Sequence, residues 1–214
     1  MAAPALAFAD VPPLESGERM TRFEFERRYE ASLPSVKAEL IEGVVYVASP
    51  VSLDHGDDHS DLIAWLGAYR AITPGVRVSD NATVRLDLDN EPQPDVHLRY
   101  ELSDLNRRED KYLSGAPELV AEVAASSASI DLHEKFRAYQ RNGVREYIVW
   151  RVYDHAIDWF ALEGGVYVRI ERDEAGVVHS RVFPGLRLAV QALLDGDMER
   201  VMREQLGAGS PAAG

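Results

Sequence analysis

A glutamate inside an apolar run constrains this chain more than any other feature. The run extends from Glu118 to Ala124, consists mainly of strand-forming residues, and contains Glu122. A strand with one solvated face would alternate its polar residues, and a fully buried strand would carry no charge. An ionised buried carboxylate is normally paired or bound to a metal. The sequence therefore predicts a partner for Glu122, and the nearest candidates are Asp95, which could share a cation with it, and Lys135.

A helix is predicted from Asp131 to Asn142, and Lys135 lies on its apolar face. At roughly 100° per residue, Lys135 is about 60° from the first of the apolar residues that mark this face. Those residues are Leu132, Phe136 and Tyr139. Asp131 is predicted to cap the helix, with Glu134 completing a capping box, and Asn142-Gly143 to end it.

The rest of the chain predicts a mixed sheet with helices around it. Further helices are predicted from Thr21, from Asp54 to Pro74, and over residues 188–194. A hairpin is predicted over Ala38–Val47 with its turn at Glu42-Gly43, and strands over 76–79, 83–88, 95–100, 118–124, 146–150, 157–162, 166–170 and 177–182. Residues 102–114 are polar and predict a mobile loop. This order of elements favours an α/β sandwich built on a mixed sheet.

Chain length and composition predict one soluble domain at residues 17–206, with loose tails at 1–16 and 207–214. No apolar run approaches the roughly 20 residues that a membrane span requires, and the N-terminus lacks the basic region of a signal peptide. Cysteine is absent, which excludes disulfides and thiolate metal ligands and is typical of a reducing compartment. We therefore expect a cytoplasmic protein that does not associate with membranes.

The formal net charge of −13 argues against a broad nucleic-acid surface, because affinity for a polyanion comes mainly from basic side chains. A local basic strip or a dimer cleft could act against the overall sign. The basic residues Arg107, Arg108 and Lys111 are predicted to form a solvated loop rather than a DNA clamp.

Two carboxylates at the ends of neighbouring strands, together with a lysine, are the usual components of a hydrolytic site. Oxygen ligands suit Mg²⁺, for which Mn²⁺ can substitute, and Mg²⁺ is commonly held by one or two carboxylates plus substrate phosphate. The metal would polarise a phosphodiester, and the lysine would orient water or stabilise developing charge. Asp95, Glu122 and Lys135 are the residues with this chemistry.

Five segments in order resemble the Uma-type restriction endonucleases, a family once filed as a domain of unknown function that belongs to the PD-(D/E)XK nuclease superfamily. The segments are Glu39-Leu-Ile-Glu-Gly43, Gln93-Pro-Asp95, Pro117-Glu-Leu-Val-Ala-Glu122-Val, Asp131-Leu-His-Glu-Lys135 and Gly143-Val-Arg-Glu-Tyr147. The resemblance covers about Phe23 to Leu194. It implies a restriction-endonuclease-like α/β (α+β) fold, with a mixed β-sheet flanked by helices and an N-terminal β-hairpin. It also implies a Mg²⁺-dependent endonuclease that cleaves nucleic acid, with DNA as the expected substrate.

By this resemblance, Asp95 and Glu122 are metal ligands, and the backbone carbonyl of Val123 would complete the metal shell. The superfamily lysine would stand at Ala124, so Lys135 is its expected substitute. A homodimer is expected from the nuclease class, because cutting both strands takes two sites.

Two auxiliary site residues follow from the same resemblance. Glu39 resembles the acidic residue of the family hairpin, and His55 resembles a recurrent family histidine. The chain departs from the family pattern at Ala124–Ser127 and at Arg151–Tyr153, where relatives tend to carry prolines.

Other interpretations remain open from the sequence. The protein could be a nuclease fold kept as a binding or regulatory module without turnover. His55, Asp58 and His59 could instead centre a zinc hydrolase, since two histidines four residues apart occur in zinc-binding helices. Glu122 could form a structural ion pair with an arginine, and Lys135 could extend its ammonium to solvent.

Overall fold

The computed structural model describes residues 11–50, 52–125 and 130–207. Its strands are β1 (Ala38–Ile41), β2 (Val44–Val47), β3 (Val76–Asp80), β4 (Val84–Arg85), β5 (Val96–Tyr100), β6 (Asn106–Glu109), β7 (Tyr112–Gly115), β8 (Leu119–Ala124), β9 (Glu146–Arg151), β10 (Ala156–Glu163), β11 (Val166–Arg169), β12 (Val177–His179) and β13 (Arg187–Ala189). Its helices are α1 (Arg22–Glu30), α2 (Leu53–Ile72), α3, α4 (Val190–Leu194) and α5 (Met198–Gly207). The third helix, α3, has a π-helical turn at Asp131–Lys135 followed by an α-helix at Phe136–Arg141.

Six strands form the central sheet, in the order β11-β10-β9-β8-β5-β3. The β8–β9 pair is parallel and the other neighbouring pairs are antiparallel. Helix α2 packs its apolar residues, including Trp65 and Leu66, with Val96 and Leu98 on one face of the sheet. Tyr139 of α3 packs with Val120 on the opposite face. The predicted mixed sheet flanked by helices is confirmed, and so is the N-terminal hairpin, β1–β2.

The hairpin is attached to the segment that leads into β5. Leu40 and Glu91 exchange both backbone hydrogen bonds, at 3.2 and 2.7 Å, and the Glu42 amide donates to the Asn90 side chain at 2.8 Å. Glu42 itself has a positive φ of 52° in the turn, a conformation that most residues avoid. This attachment fixes β1 beside the start of β5.

The predicted N-terminal tail, residues 1–16, extends too far into the chain. Leu14 is buried with Phe25 and Leu40, and the carbonyls of Pro12 and Pro13 accept hydrogen bonds from the buried guanidinium of Arg28. The segment packs because an apolar leucine among the prolines finds the hydrophobic face of α1 and β1. Residues 1–10 and 208–214 lie outside the described residues.

Two local predictions were wrong. Residues 102–114 contain a strand pair, β6–β7, which joins β4 in a three-stranded sheet. Asp110 turns the pair with a φ of 54°, and the charged residues of β6 are exposed, so the sequence has the composition of a loop. Asp131 is not a cap, because helical backbone already includes Ile130 and the Asp131 side chain is buried.

No helix among the described residues is long and apolar enough to cross a membrane.

Candidate active site

The ammonium of Lys135 lies among three carboxylates. Its Nζ atom is 3.0 Å from Glu39 Oε2, 3.1 Å from Glu122 Oε1 and 3.4 Å from Asp131 Oδ1. Lys135 is only 7% exposed and Glu122 only 2%. The partner of Glu122 is therefore a lysine rather than an arginine, and the Lys135 side chain does not extend to solvent. The apolar-face position predicted for Lys135 is confirmed.

Asp95 is tied to the same strand as Glu122. Residues at the start of β5 pair antiparallel with β8, Val96 opposite Ala121, which brings Asp95 beside Glu122. The Asp95 amide donates to Glu122 Oε2 at 3.1 Å, and the Val123 amide donates to Asp95 Oδ2 at 2.7 Å. These reciprocal bonds hold both carboxylates at one end of the strand pair.

The two auxiliary residues also lie at the site. Strand β1 carries Glu39 to the site, and Glu39 Oε1 accepts a 2.6 Å hydrogen bond from the backbone amide of Gln93. His55 lies in the first turn of α2, where the Ser52 side chain caps the helix by accepting from the His55 amide. Its Nε2 is 3.7 Å from Asp95 Oδ1. Glu39, His55, Asp95, Glu122 and Lys135 thus converge on one place.

Two residues of the cluster were missed in the sequence analysis. Tyr139 is fully buried and donates its hydroxyl to Glu122 Oε1 at 2.9 Å, although it had been given only a packing role. Asp131 had been interpreted as a cap, but it faces Lys135 one turn away. The spacing Asp131, Lys135, Tyr139 is i, i+4, i+8, which places three polar groups on one helix face. That spacing was the available signal.

Electrostatics distinguishes Asp95 from Glu122. Burial opposes ionisation of Asp95, but the contact with His55, the hydrogen bond from the backbone amide of Val123 and the Lys135 charge lower its pKa below the ordinary value. The same contact with Asp95 raises the pKa of His55. Burial raises the pKa of Glu122 well above its ordinary value, with Lys135 acting in the opposite direction and Asp95 and Asp131 adding to the rise. The surroundings of Asp95 thus favour its ionised form more than those of Glu122 do.

Burial disfavours the charge of Lys135, yet the carboxylates of Glu122, Glu39 and Asp131 outweigh that effect and hold its pKa well above the ordinary value. The cluster contains more carboxyl groups than cations, so it favours either an additional proton or an added positive charge.

The donor set suits a hard divalent cation, because it consists of carboxylate oxygens with excess negative charge. Each carboxylate oxygen can accept more than one contact. Among the described residues no group of three or more His, Asp or Glu side chains is arranged to hold a metal ion. A Mg²⁺ site held by two carboxylates and otherwise by water and phosphate would not form such a group, so this finding does not test a site of that kind at Asp95 and Glu122. The backbone amide of Val123 donates to Asp95. The metal-binding role expected for the Val123 carbonyl stays a prediction.

The histidine-based alternative has no matching geometry in the described part of the chain. The ring nitrogen of His59 lies 3.0 Å from the Asp95 carbonyl oxygen and 3.3 Å from Asp80. Its partners therefore lie at the end of β3 and just before β5, and His55 faces Asp95. No three-ligand zinc arrangement is found there.

Comparisons with known proteins agree with this architecture. Residues 23–191 match the family model Uma2, described as "Putative restriction endonuclease". A structure from Anabaena variabilis ATCC 29413, described as a putative nuclease belonging to DUF820, has a similar fold with a TM-score of 0.65. The two chains are 16% identical, and the similarity covers 82% of this chain and 98% of the other. No curated protein matches the chain.

Proposed function

The chain belongs to the Uma2 family of putative restriction endonucleases, and on that premise we propose that it is a metal-dependent endonuclease. It would hydrolyse phosphodiester bonds of nucleic acid, with DNA as the expected substrate and Mg²⁺ as the cofactor. The reaction would take place at the cluster of Asp95, Glu122 and Lys135. The family membership supports a nuclease, and the geometry of this cluster supports its placement.

One observation carries the proposal: a buried lysine meets a glutamate from β8 and a glutamate from β1, while an aspartate preceding β5 is bonded to the same strand. The Lys135 contacts to Glu122 and Glu39 are 3.1 and 3.0 Å. Buried ion clusters rarely improve stability over apolar packing. Several acids around one buried cation are therefore better explained by a function than by stability.

Each residue has a distinct task in this proposal. Asp95, whose pKa is lowered, would remain ionised and hold the metal together with Glu122. Lys135 would donate hydrogen bonds to a nonbridging phosphate oxygen or orient the attacking water, and its raised pKa keeps it protonated. Glu39 would hold the lysine in place through their 3.0 Å contact. His55 would orient the Asp95 carboxylate.

Bound Mg²⁺ would supply Lewis-acid polarisation of the phosphoryl group. The protein residues would supply position and charge, which account for most of the catalysis in phosphoryl transfer.

The test is a cleavage assay on purified protein with linear and supercoiled DNA and with RNA, each in Mg²⁺, in Mn²⁺ and in EDTA. Cleavage is expected in either metal and none in EDTA. Asp95→Asn, which keeps the side-chain volume, should lower the rate by about 10²-fold or more because it removes an anionic ligand. Asp154→Asn is the matched control, because Asp154 is exposed and pairs with Arg151 away from the cluster.

Nucleic-acid binding without cleavage in any metal would overturn the endonuclease assignment and support the nuclease-fold binding module. Cleavage that survives both EDTA and Asp95→Asn would overturn the metal site. Sedimentation of the active protein tests the expected homodimer.

A further inference from the structure

A cavity of about 280 Å³ lies between the edge of the central sheet and the small β4-β7-β6 sheet. From the central sheet it is lined by Ser79, His97 and Arg99, and from the small sheet by Arg108, Lys111 and Tyr112, among other residues. It exists because residues 102–114 form a strand pair instead of a loop. Five of these six residues lie on strands, and Lys111 lies in the turn between β6 and β7.

The cavity has three cations and little to neutralise them. Among the described residues, none of Arg99, Arg108 and Lys111 makes an ion pair, although Glu118 and Glu101 act on Arg99 at longer range. Arg108 donates to the backbone carbonyl of Asp110 at 3.0 Å, and Lys111 lies 5.0 Å from the centre of the Tyr112 ring. Three unpaired cations in one concavity are unexpected in a chain with a net charge of −13.

A buried histidine gives a second, independent indication of a ligand. His97 lines the cavity, is 1% exposed, and its Nδ1 atom has no hydrogen-bond partner among the described residues. Buried polar atoms are normally satisfied. A ligand with hydrogen-bonding oxygens would satisfy this one.

The cavity lies on the same sheet face as the candidate active site. Asp95 immediately precedes β5, and His97 and Arg99 follow at every second position of the strand. The three side chains therefore point to the same side of the sheet. At about 3.3 Å per residue, Arg99 lies roughly 13 Å along the strand from Asp95. A nucleic-acid strand that reached Asp95 would bring another phosphate within that distance.

We propose that this cavity is a subsite for a phosphate group of a nucleotide, bound by Arg99, Arg108 and Lys111 with His97 at its base. It rests on the proposed function in one respect: when the ligand is a strand, its scissile phosphate lies at Asp95 while a flanking phosphate lies in the cavity. The same chemistry would accept the phosphate of a free mononucleotide. Either source requires a phosphate, which matches the cavity in charge and in hydrogen bonding.

The experiment compares two substrates and adds a binding measurement. Wild type, Arg99→Gln and Lys111→Gln are assayed on a 20-nucleotide oligonucleotide and on bis(p-nitrophenyl) phosphate, which has no flanking phosphate. Lys111 is exposed, so Lys111→Gln keeps the test valid if Arg99→Gln folds poorly. Arg70→Gln is the control, since Arg70 is exposed on α2, which packs on the opposite face of the sheet. Binding of inorganic phosphate and of thymidine 5′-monophosphate is measured by NMR for each protein.

For a strand phosphate, the ratio of kcat/KM on the oligonucleotide to that on the small ester should fall about tenfold in both cavity variants. The fall should come from KM, and the salt dependence of oligonucleotide binding should decrease by about one unit of slope. For a free nucleotide, that ratio should stay at the wild-type value while both variants lose thymidine monophosphate binding. Arg70→Gln should match wild type throughout.

Unchanged ratios together with unchanged phosphate and nucleotide binding would overturn the subsite. The binding measurement does not need turnover, so the cavity stays testable even if the wild-type protein cleaves no nucleic acid, which is the outcome that would refute the proposed function.

Discussion

Glu122 and Glu146 are buried on neighbouring parallel strands, yet their surroundings differ completely. Glu122 is 2% exposed and Glu146 is fully buried. Glu146 accepts from four uncharged donors: the Ser180 hydroxyl at 2.7 Å, the backbone amides of Arg181 and Val182 at 2.6 and 3.2 Å, and the Trp159 indole at 3.3 Å. Glu122 accepts from a lysine, a tyrosine and the Asp95 amide, with other acids close by.

The two glutamates face opposite sides of the sheet. Glu146 lies on the side of Ile148 and Trp159, which form one core with α2, and Glu122 lies on the side of Val120. Glu146 fastens residues 180–182 to the sheet, and neutral donors alone satisfy it. Burial of a carboxylate is therefore not what indicates a catalytic site. The charge of the neighbouring groups is the indicator: of these two glutamates, Glu122 has a lysine and other acids beside it, whereas Glu146 accepts from neutral donors.

The largest expected effect comes from removing the cation of the Glu122 cluster. Lys135→Ala should lower cleavage by about 10³-fold, because the charge that stabilises the transition state is lost. Metal binding should be retained, since Asp95 and Glu122 remain. Mn²⁺ titration by calorimetry and single-turnover cleavage measure the two properties separately. Lys37→Ala is the control, and it should leave both at wild-type values. A Lys135→Ala protein that cleaves normally would remove the lysine from the mechanism.

The direct test of the contrast exchanges each glutamate for glutamine. Glu122→Gln should lower cleavage by about 10²-fold or more and change stability little, because it also relieves repulsion among the acids. Glu146→Gln should leave cleavage within about twofold but lower the free energy of unfolding by about 1–3 kcal/mol, since an amide N–H would face the four donors. Denaturant unfolding and cleavage rates are measured on the same preparations. Equal effects of the two substitutions on cleavage would contradict the contrast between the two glutamates.

The residues that the sequence could identify are those whose polarity conflicts with their local pattern. Glu122 in an apolar strand and Lys135 on an apolar helix face are both anomalous in that way, and the structure places them in contact. Asp95 is not anomalous in its own segment. Its position in the chain made it a candidate partner of Glu122, and the ordered resemblance of five segments was needed to support that role.

The missed features conformed to their local patterns. Asp131 precedes a helix-like run and is an ordinary capping residue, so nothing local showed that helical backbone began before it. The strand pair β6–β7 is short, charged and exposed on β6, and its stability comes from pairing with β4 across the chain. Tertiary contacts of this kind override local composition.

A third buried carboxyl, Glu91, sharpens the contrast through its pH dependence. The pKa of Glu91 is raised from 4.5 to about 8. Burial is the main cause, and the neighbouring carboxyl group of Glu26 is the second. A folded-state pKa above the unfolded value means that folding favours the protonated form, so the contribution is complete below about pH 4.5 and is lost as pH rises through about 8.

Stability should therefore fall by up to about 1.4 kcal/mol per pH unit as the pH rises between these values, at the limit of one proton. Glu91→Gln, which cannot ionise, should reduce the slope by this one-proton contribution, and Glu174→Gln, at an exposed position, should leave the slope at its wild-type value. Urea unfolding at a series of pH values measures the slope. A slope in Glu91→Gln equal to that of wild type would contradict the contribution of Glu91.

The smallest expected effect comes from a single hydroxyl. Tyr139→Phe keeps the buried ring and removes the hydroxyl that donates to Glu122 Oε1 at 2.9 Å, which should lower cleavage about fivefold and the free energy of unfolding by about 1 kcal/mol. Tyr167→Phe is a matched control from the same aromatic cluster, because its hydroxyl donates at 2.9 Å to the Val144 carbonyl. It should cost similar stability without affecting cleavage. If both variants lose stability and neither loses activity, the bond to Glu122 is structural in the same sense as those to Glu146, and the distinction between the two glutamates would rest on Lys135 alone.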